Sequence, residues 1–246
     1  MIKYISASLI QRTINNKEEF RALSLAFAVK SRYLSSQLNN FSYSRLSDMF
    51  GISRNTAKNR INKLREMGLV RQNGKNLVFL SLQELGYGIK NIIIQNHSRV
   101  NLNNLKEAER FLRVQAVYIK QSQIDYAVNC IESTKNAKTA KELRAARSKL
   151  KKIRNWNGRV DRGQSINTVK RVSGTGKNNA VNILKWGEKK RLLKKNVRIT
   201  EVQHVWQETE RWKDSDDMRK SFFISHGRTY LVLPTEIKFT VRRHKC

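Results

Sequence analysis

The chain has 246 residues, with 50 Lys and Arg against 19 Asp and Glu, a formal net charge of +31. So large an excess repels itself in the compact state unless a polyanion neutralises it, and nucleic acid is the polyanion such a charge fits. Hydrophobic residues make up 39% of the chain, too many for a disordered basic tail, yet no apolar run reaches the length of a membrane span or of a secretory signal.

Lys17 to Leu34 predicts a helix, with Phe20, Leu23, Phe27 and Leu34 on one stripe that Ala22, Ala26, Val29 and Tyr33 widen. Asn39 and Asn40 end it. Ser42 or Ser44 then caps a short helix that carries Leu46, Met49 and Phe50 inward, and Gly51 makes a turn. Ser53 caps the next helix, which runs to Met67 and is closed by Gly68, with Ala57, Ile61 and Leu64 facing in. Leu69, Val70 and Arg71 lead to the pair Asn73-Gly74 and then to Leu77–Leu80, a β-hairpin pattern. Helix, helix, turn, helix, hairpin is the order of a winged helix-turn-helix.

The middle of the chain predicts two more helices, Leu105 to Ile131 and Ala137 to Arg154, the second with Ala140, Leu143, Ala146, Leu150 and Ile153 on one stripe and Lys and Arg elsewhere. Asn155 to Gly163 reads as a boundary. Beyond it the first motif recurs without gaps at an offset of 123: Leu46 matches Val169, Met49 Val172, Gly51 Gly174, Ala57 Ala180, Ile61 Leu184, and Leu69-Val70-Arg71 Leu192-Leu193-Lys194. The second copy is looser, because Gly176 replaces the capping Ser53, Gly187 replaces the packing Leu64, and Val181 replaces the outward Lys58. Val181 either touches a thymine methyl or joins the core. Strands are predicted at Val197–Val205, Ser221–Ser225 and Thr229–Leu233, with His226-Gly227-Arg228 as a hairpin tip and an acidic insertion at Trp206–Lys220.

A helix enters the major groove, where each base pair shows its own pattern of donors and acceptors. In the first copy Arg54, Asn55, Thr56, Lys58, Asn59 and Asn62 are the candidate DNA-binding residues, Arg for guanine edges and Asn for adenine. In the second, Lys177, Asn178, Asn179, Asn182 and Lys185 hold the equivalent face. Asn is a poor residue for a helix interior, so its recurrence beside a basic residue in both copies points to use. Arg71, Lys75 and Arg228 are wing candidates for phosphate or minor-groove contact. Between Ser133 and Arg198 stand 21 Lys and Arg against 3 acidic residues, and Lys138, Lys141, Arg144, Arg147 and Lys151 line a helix flank that can track a phosphate backbone.

Other signals carry less. Ser173-Gly174-Thr175-Gly176-Lys177 resembles a phosphate-binding loop but lacks the leading Gly, where Arg171 stands, and the trailing Ser or Thr, where Asn178 stands. Asp214, Asp216 and Asp217 lie together in a polar insertion and read as a solvated turn, so no nuclease centre and no enzyme is expected. Cys130 and Cys246 form no disulfide framework, and His97, His204, His226 and His244 stand at no metal-ligand spacing with them. No cofactor or metal is expected. Trp156, Trp186, Trp206 and Trp212 read as core or linker anchors.

Lys17 to about Leu82 resembles the winged helix-turn-helix domains of bacterial and phage regulators, on Leu46, the run from Gly51 to Ala57, Leu64, Gly68-Leu69-Val70 and Asn73-Gly74. Two such units in one chain are similar in plan to plasmid and phage replication initiators. The expected fold class is mainly α with small β-hairpin wings: a winged helix-turn-helix at 1–100, a basic helical linker at 101–157 and a winged-helix-like domain at 158–246. The expected function is sequence-specific binding of double-stranded DNA, as a regulator or replication initiator of a phage or mobile element, alongside replication or transcription proteins. The alternatives are a virion- or nucleoid-associated protein that binds by charge, and the DNA-targeting subunit of a recombination complex. The richness in Lys, Asn and Ile hints at an AT-rich genome, and the expected setting is a prokaryotic or phage-infected cytoplasm or a virion.

Overall fold

A computed structural model describes residues 3–33, 37–81, 84–85, 92–95, 100–151, 163–201, 222–226 and 228–239. Strand β1 (Lys3–Ser6) and helix α1 (Ala7–Thr13) precede α2 (Lys17–Arg32), whose first turn is capped by Asn16 accepting from the Glu18 and Glu19 amides. Then come β2 (Gln37–Leu38), α3 (Tyr43–Phe50), α4 (Arg54–Glu66), β3 (Val70–Asn73), β4 (Asn76–Phe79) and β5 (Ile92–Gln95), which pairs back antiparallel to β1.

The wing sheet has the order β2-β4-β3. Asn73 pairs with Asn76, so the hairpin turns on Gly74-Lys75, one residue later than the predicted Asn73-Gly74. Gly74 takes a left-handed φ of 56°, the glycine-first form of a two-residue hairpin turn. Burial sets this register: Leu77 and Phe79 must both point inward, and a one-residue slip would expose them. Pairing of Leu38 with Leu77 adds a third strand that locks it.

The second half of the chain contains α5 (Leu105–Lys135), α6 (Ala140–Lys151), α7 (Ile166–Ser173), α8 (Lys177–Lys189), β6 (Leu193–Glu201), β7 (Phe222–Ser225) and β8 (Arg228–Phe239). Its sheet runs β6-β8-β7. Strand β8 continues past Pro234, where the sequence pattern stops it at Leu233. Asn196 faces Glu236 and Arg198 faces Leu233, so Val197 alone opposes Pro234 and Thr235. A proline lacks the N–H for a ladder, and a bulge is where a strand accommodates one.

The stretch expected to be a basic linker divides in two. Helix α5 is core: Phe111, Leu112, Val114, Ala116, Val117 and Ile119 are all buried, around more than one side of the helix. A helix apolar on several sides packs on several sides. The Phe111 ring stacks on Phe27 of α2 at 5.6 Å, and Tyr118 meets Phe239 of β8 edge-on at 5.0 Å. Helix α6 is the basic part; it lies against the later turns of α5, near a small apolar seam of Ala127, Cys130 and Ala146 outside the main core. The α6 first turn is capped by Thr139, which accepts from the Glu142 amide while the Glu142 carboxylate accepts from the Lys138 and Thr139 amides.

Helices α3 and α7 are each 8 residues long, and α4 and α8 each 13, in register at the offset of 123. Ser42 and Ser165 cap α3 and α7 in the same way, each hydroxyl accepting at 3.1 Å from the amide three residues on. Gly51 has φ 60° and ψ 41°, and Gly174 has φ 60° and ψ 40°. Leu69 donates to the Leu64 carbonyl and Leu192 to that of Gly187, each at 2.9 Å. Gly187 does not loosen the packing as its sequence suggests. A Cβ there would come within 2.8 Å of Leu193 and 3.4 Å of Val114, so the missing side chain is what lets β6 and α5 close on α8.

Glu107 on α5 holds Lys190 at the end of α8, with its two oxygens 2.9 and 3.0 Å from the ammonium. Burial pushes the Glu107 carboxyl up, but the Lys190 hydrogen bond, the Asn101 amide and the charges of Lys190 and Arg110 together bring it below its usual range. A depressed folded pKa means stability present above the unfolded value of about 4.3 and lost as pH falls through the lower folded value. Glu107→Gln is therefore expected to flatten the acid limb of a urea-denaturation series below about pH 4. An unchanged acid limb would show that the pair does not couple to folding.

Candidate nucleic-acid interface

Helix α4 buries Ala57, Ile61 and Leu64 and turns the other side outward. Arg54, Asn55, Lys58 and Asn59 are exposed, while Thr56 and Asn62 are half-buried. Thr56 belongs to the cap: its amide donates to Ser53 Oγ at 3.1 Å and the two hydroxyls lie 2.8 Å apart. Asn62 is engaged too, accepting from Arg65 at 3.1 Å. The same guanidinium donates to Tyr43 Oη at 3.2 Å and to Gln72 Oε1 at 2.6 Å. Arg65 thereby ties α4 to α3 and to the wing, which fixes the angle between the outward helix face and the hairpin. No apolar period marks Arg65, Tyr43 or Gln72; only the fold brings them together.

Lys30 of α2 anchors the far end of the wing by donating to the Leu80 carbonyl. Burial lowers the pKa of that amine, and the charge of Glu84 opposes the shift. At the wing itself Lys75 is exposed in the turn, and Arg71 faces Glu84 at 3.6 Å. Exposed ion pairs of this kind are worth about 0–1 kcal/mol, so Arg71 can exchange its carboxylate for a phosphate.

Residues 41–71 match the family model of winged helix-turn-helix DNA-binding domains. The segment is a winged helix-turn-helix. The match covers α3, the turn at Gly51, α4 and the first residues of the wing. No curated protein and no solved structure matches the chain. Around the matched winged helix-turn-helix, α2 supplies the supporting helix and β2 and β4 complete the wing.

In the second half, Lys177, Asn178, Asn179, Asn182 and Lys185 of α8 are exposed, and Ala180, Ile183, Leu184 and Gly187 are buried. Val181 is half-buried where Lys58 of the winged helix-turn-helix is exposed. Gly176 gives α8 no side-chain cap. Arg228 is exposed beside its hairpin tip and faces Glu201 at 3.3 Å. On the α6 arm, Lys138, Lys141, Arg144, Arg147 and Lys151 are all exposed, and Lys149 joins them.

The residue that the sequence hides is Arg113. It lies on α5 with its guanidinium 4.5 Å from the Phe20 ring centre, paired with Glu109 at 2.8 Å, and it donates to the carbonyls of Ser173 and Gly174. Its side chain thus spans α2, α5 and the turn between α7 and α8. Arg113→Met takes the guanidinium from the Phe20 ring and from Glu109 and strips the donors from both carbonyls, and about 2–3 kcal/mol of unfolding free energy is expected to go with them. Urea denaturation of the purified variant measures the loss; a change below about 0.5 kcal/mol would deny Arg113 this role.

Among the described residues no cluster of His, Cys, Asp and Glu can hold a metal ion, and no helix is long and apolar enough to cross a membrane. Trp186 is half-buried against the core with Lys190 over its ring. Trp156, Trp206, Trp212, the three adjacent aspartates, Gly227, Cys246, His97, His204, His244 and the acidic insertion lie outside the described residues.

Proposed function

We propose that the chain is a sequence-specific double-stranded DNA-binding protein with two working recognition helices, α4 and α8, and not an enzyme. One observation carries the reading. The geometry of the winged helix-turn-helix recurs at α7, Gly174 and α8 with the same helix lengths, the same turn angles and a basic, Asn-rich outward face. In this reading each helix lies in a major groove, Arg54 and Lys177 lead at the helix N-termini, and the asparagines read adenine edges. Two different faces read two different half-sites, so the target is not a palindrome and no dimer is needed to fill it. The role that fits is a regulator or replication initiator of a phage or mobile element. An exposed arm of six basic residues favours a second reading, a virion- or nucleoid-associated protein that grips DNA mainly by charge.

Selection from a pool of random duplexes at physiological salt separates the two. The expected product is a split motif, with Arg54→Ala blurring one half and Lys177→Ala the other, each by about 1–3 kcal/mol of discrimination. Retention without any enriched motif would leave only the charge-driven reading.

A further inference from the structure

We infer that α4 and α8 move as one rigid body, so that the DNA target has a single permitted spacing between its two halves. The inference rests on the reading of α8 as a second DNA-contacting helix, and it goes beyond it by specifying the geometry of the target.

The contacts that join the two units gather at the second turn and at the end of α8. The Ile14 carbonyl, at the end of α1, sits so close to Gly174 that a Cβ there would come within 2.3 Å of its oxygen. Arg113 reaches from α5 to the Ser173 and Gly174 carbonyls while covering Phe20 of α2. Glu107, near the start of α5, holds Lys190 at the end of α8. Beneath these lies one continuous apolar cluster that runs from Phe20, Leu46 and Ala57 through α5 to Val169, Ala180 and Leu184. Cores packed in this way have one arrangement and do not slide.

Domains on a flexible tether tolerate changes of spacing, since a longer reach costs them little. A rigid pair does not. Each inserted base pair shifts the second half-site along the axis and rotates it, and a full turn of about 10 base pairs restores the face but displaces it by about 34 Å.

Two measurements test this. In the first, the selected duplex is remade with one, two, five or ten base pairs inserted between its halves. Each insertion is expected to weaken binding at least tenfold, to the level of a duplex with one half scrambled, and ten base pairs should give no recovery. Full affinity with one or two extra base pairs, or recovery at ten, would overturn the inference while leaving two-helix reading intact. The second needs no DNA site. Spin labels at Glu66→Cys and Lys189→Cys, exposed positions at the ends of α4 and α8, are placed in a Cys130→Ala, Cys246→Ser background. Pulsed dipolar spectroscopy should then give one narrow distance, unchanged by added duplex. A broad distribution would overturn the inference even if selection had yielded only one half-site and defeated the reading beneath it.

Discussion

Gly174→Ala is expected to cost roughly 3 kcal/mol or more, with a melting temperature lowered by about 6–12 °C, while Gly51→Ala costs about 1 kcal/mol. The two glycines have the same backbone conformation, with φ at 60° in both. An L-residue in the left-handed region carries about 1–2 kcal/mol of strain at either site, partly offset by the smaller entropy that alanine loses on folding. The sites differ in what surrounds them. A Cβ at Gly51 meets nothing within 4 Å, whereas at Gly174 it meets the Ile14 carbonyl oxygen at 2.3 Å and the Ile14 carbonyl carbon at 3.1 Å. A backbone oxygen at the end of a packed helix cannot swing aside as a side-chain tip can. Either α1 must lift away or the turn must shift, and the second course also loosens the Arg113 bonds to Ser173 and Gly174. Thermal and urea denaturation of both variants provide the comparison. Equal losses at the two positions would mean that α1 does not press on the turn.

DNA affinity is expected to fall roughly 1000-fold or more between 50 and 200 mM salt, a drop that release of counterions from about six or more phosphates produces. The α6 arm is expected to supply a large part of that. Its Lys141, Arg144, Arg147, Lys149 and Lys151 are exposed, and its apolar side is taken up against α5. A variant carrying Lys141→Gln, Arg144→Gln and Arg147→Gln should lower the slope of log affinity against log salt by about 2–3, at about 0.9 per phosphate lost. It should weaken specific and non-specific duplexes alike, because phosphate contacts carry no sequence information. Fluorescence anisotropy titrations over a salt series measure the slope. An unchanged slope in the triple variant would place the arm off the DNA.

Much of the fold is legible from spacing. The inward residues Leu46, Ala57 and Ile61 recur as Val169, Ala180 and Leu184, and the caps Ser42 and Ser53 mark the helix starts of the first copy. These signals are local, within a turn or two of helix, so a linear reading finds them. What escapes is set by distant partners. Gly187 looks like a lost contact until Leu193 and Val114 are seen filling its place. Strand β2 is two residues long and is defined only by its pairing with β4, where Leu38 lies opposite Leu77. Arg113 looks like one more cation in a basic chain, and its role depends on a turn some 60 residues away. Helix α5 resembles a connector by position, and its residues reveal it as core only through the number of its sides that are apolar. At the candidate interface the outward basic and Asn residues are readable from helical phase, but the diversion of Thr56 to the cap and of Asn62 to Arg65 is not.

Entry of both α4 and α8 into the grooves of one duplex can be checked by tethered cleavage. An iron chelate attached through Asn59→Cys, and separately through Asn182→Cys, cuts DNA near its own helix. Two separate clusters of cuts are expected on the same selected duplex, one for each attachment point, each centred in a major groove. Cuts from the Asn59 position alone, or cuts scattered evenly along the duplex from both, would show that the two helices do not share one duplex.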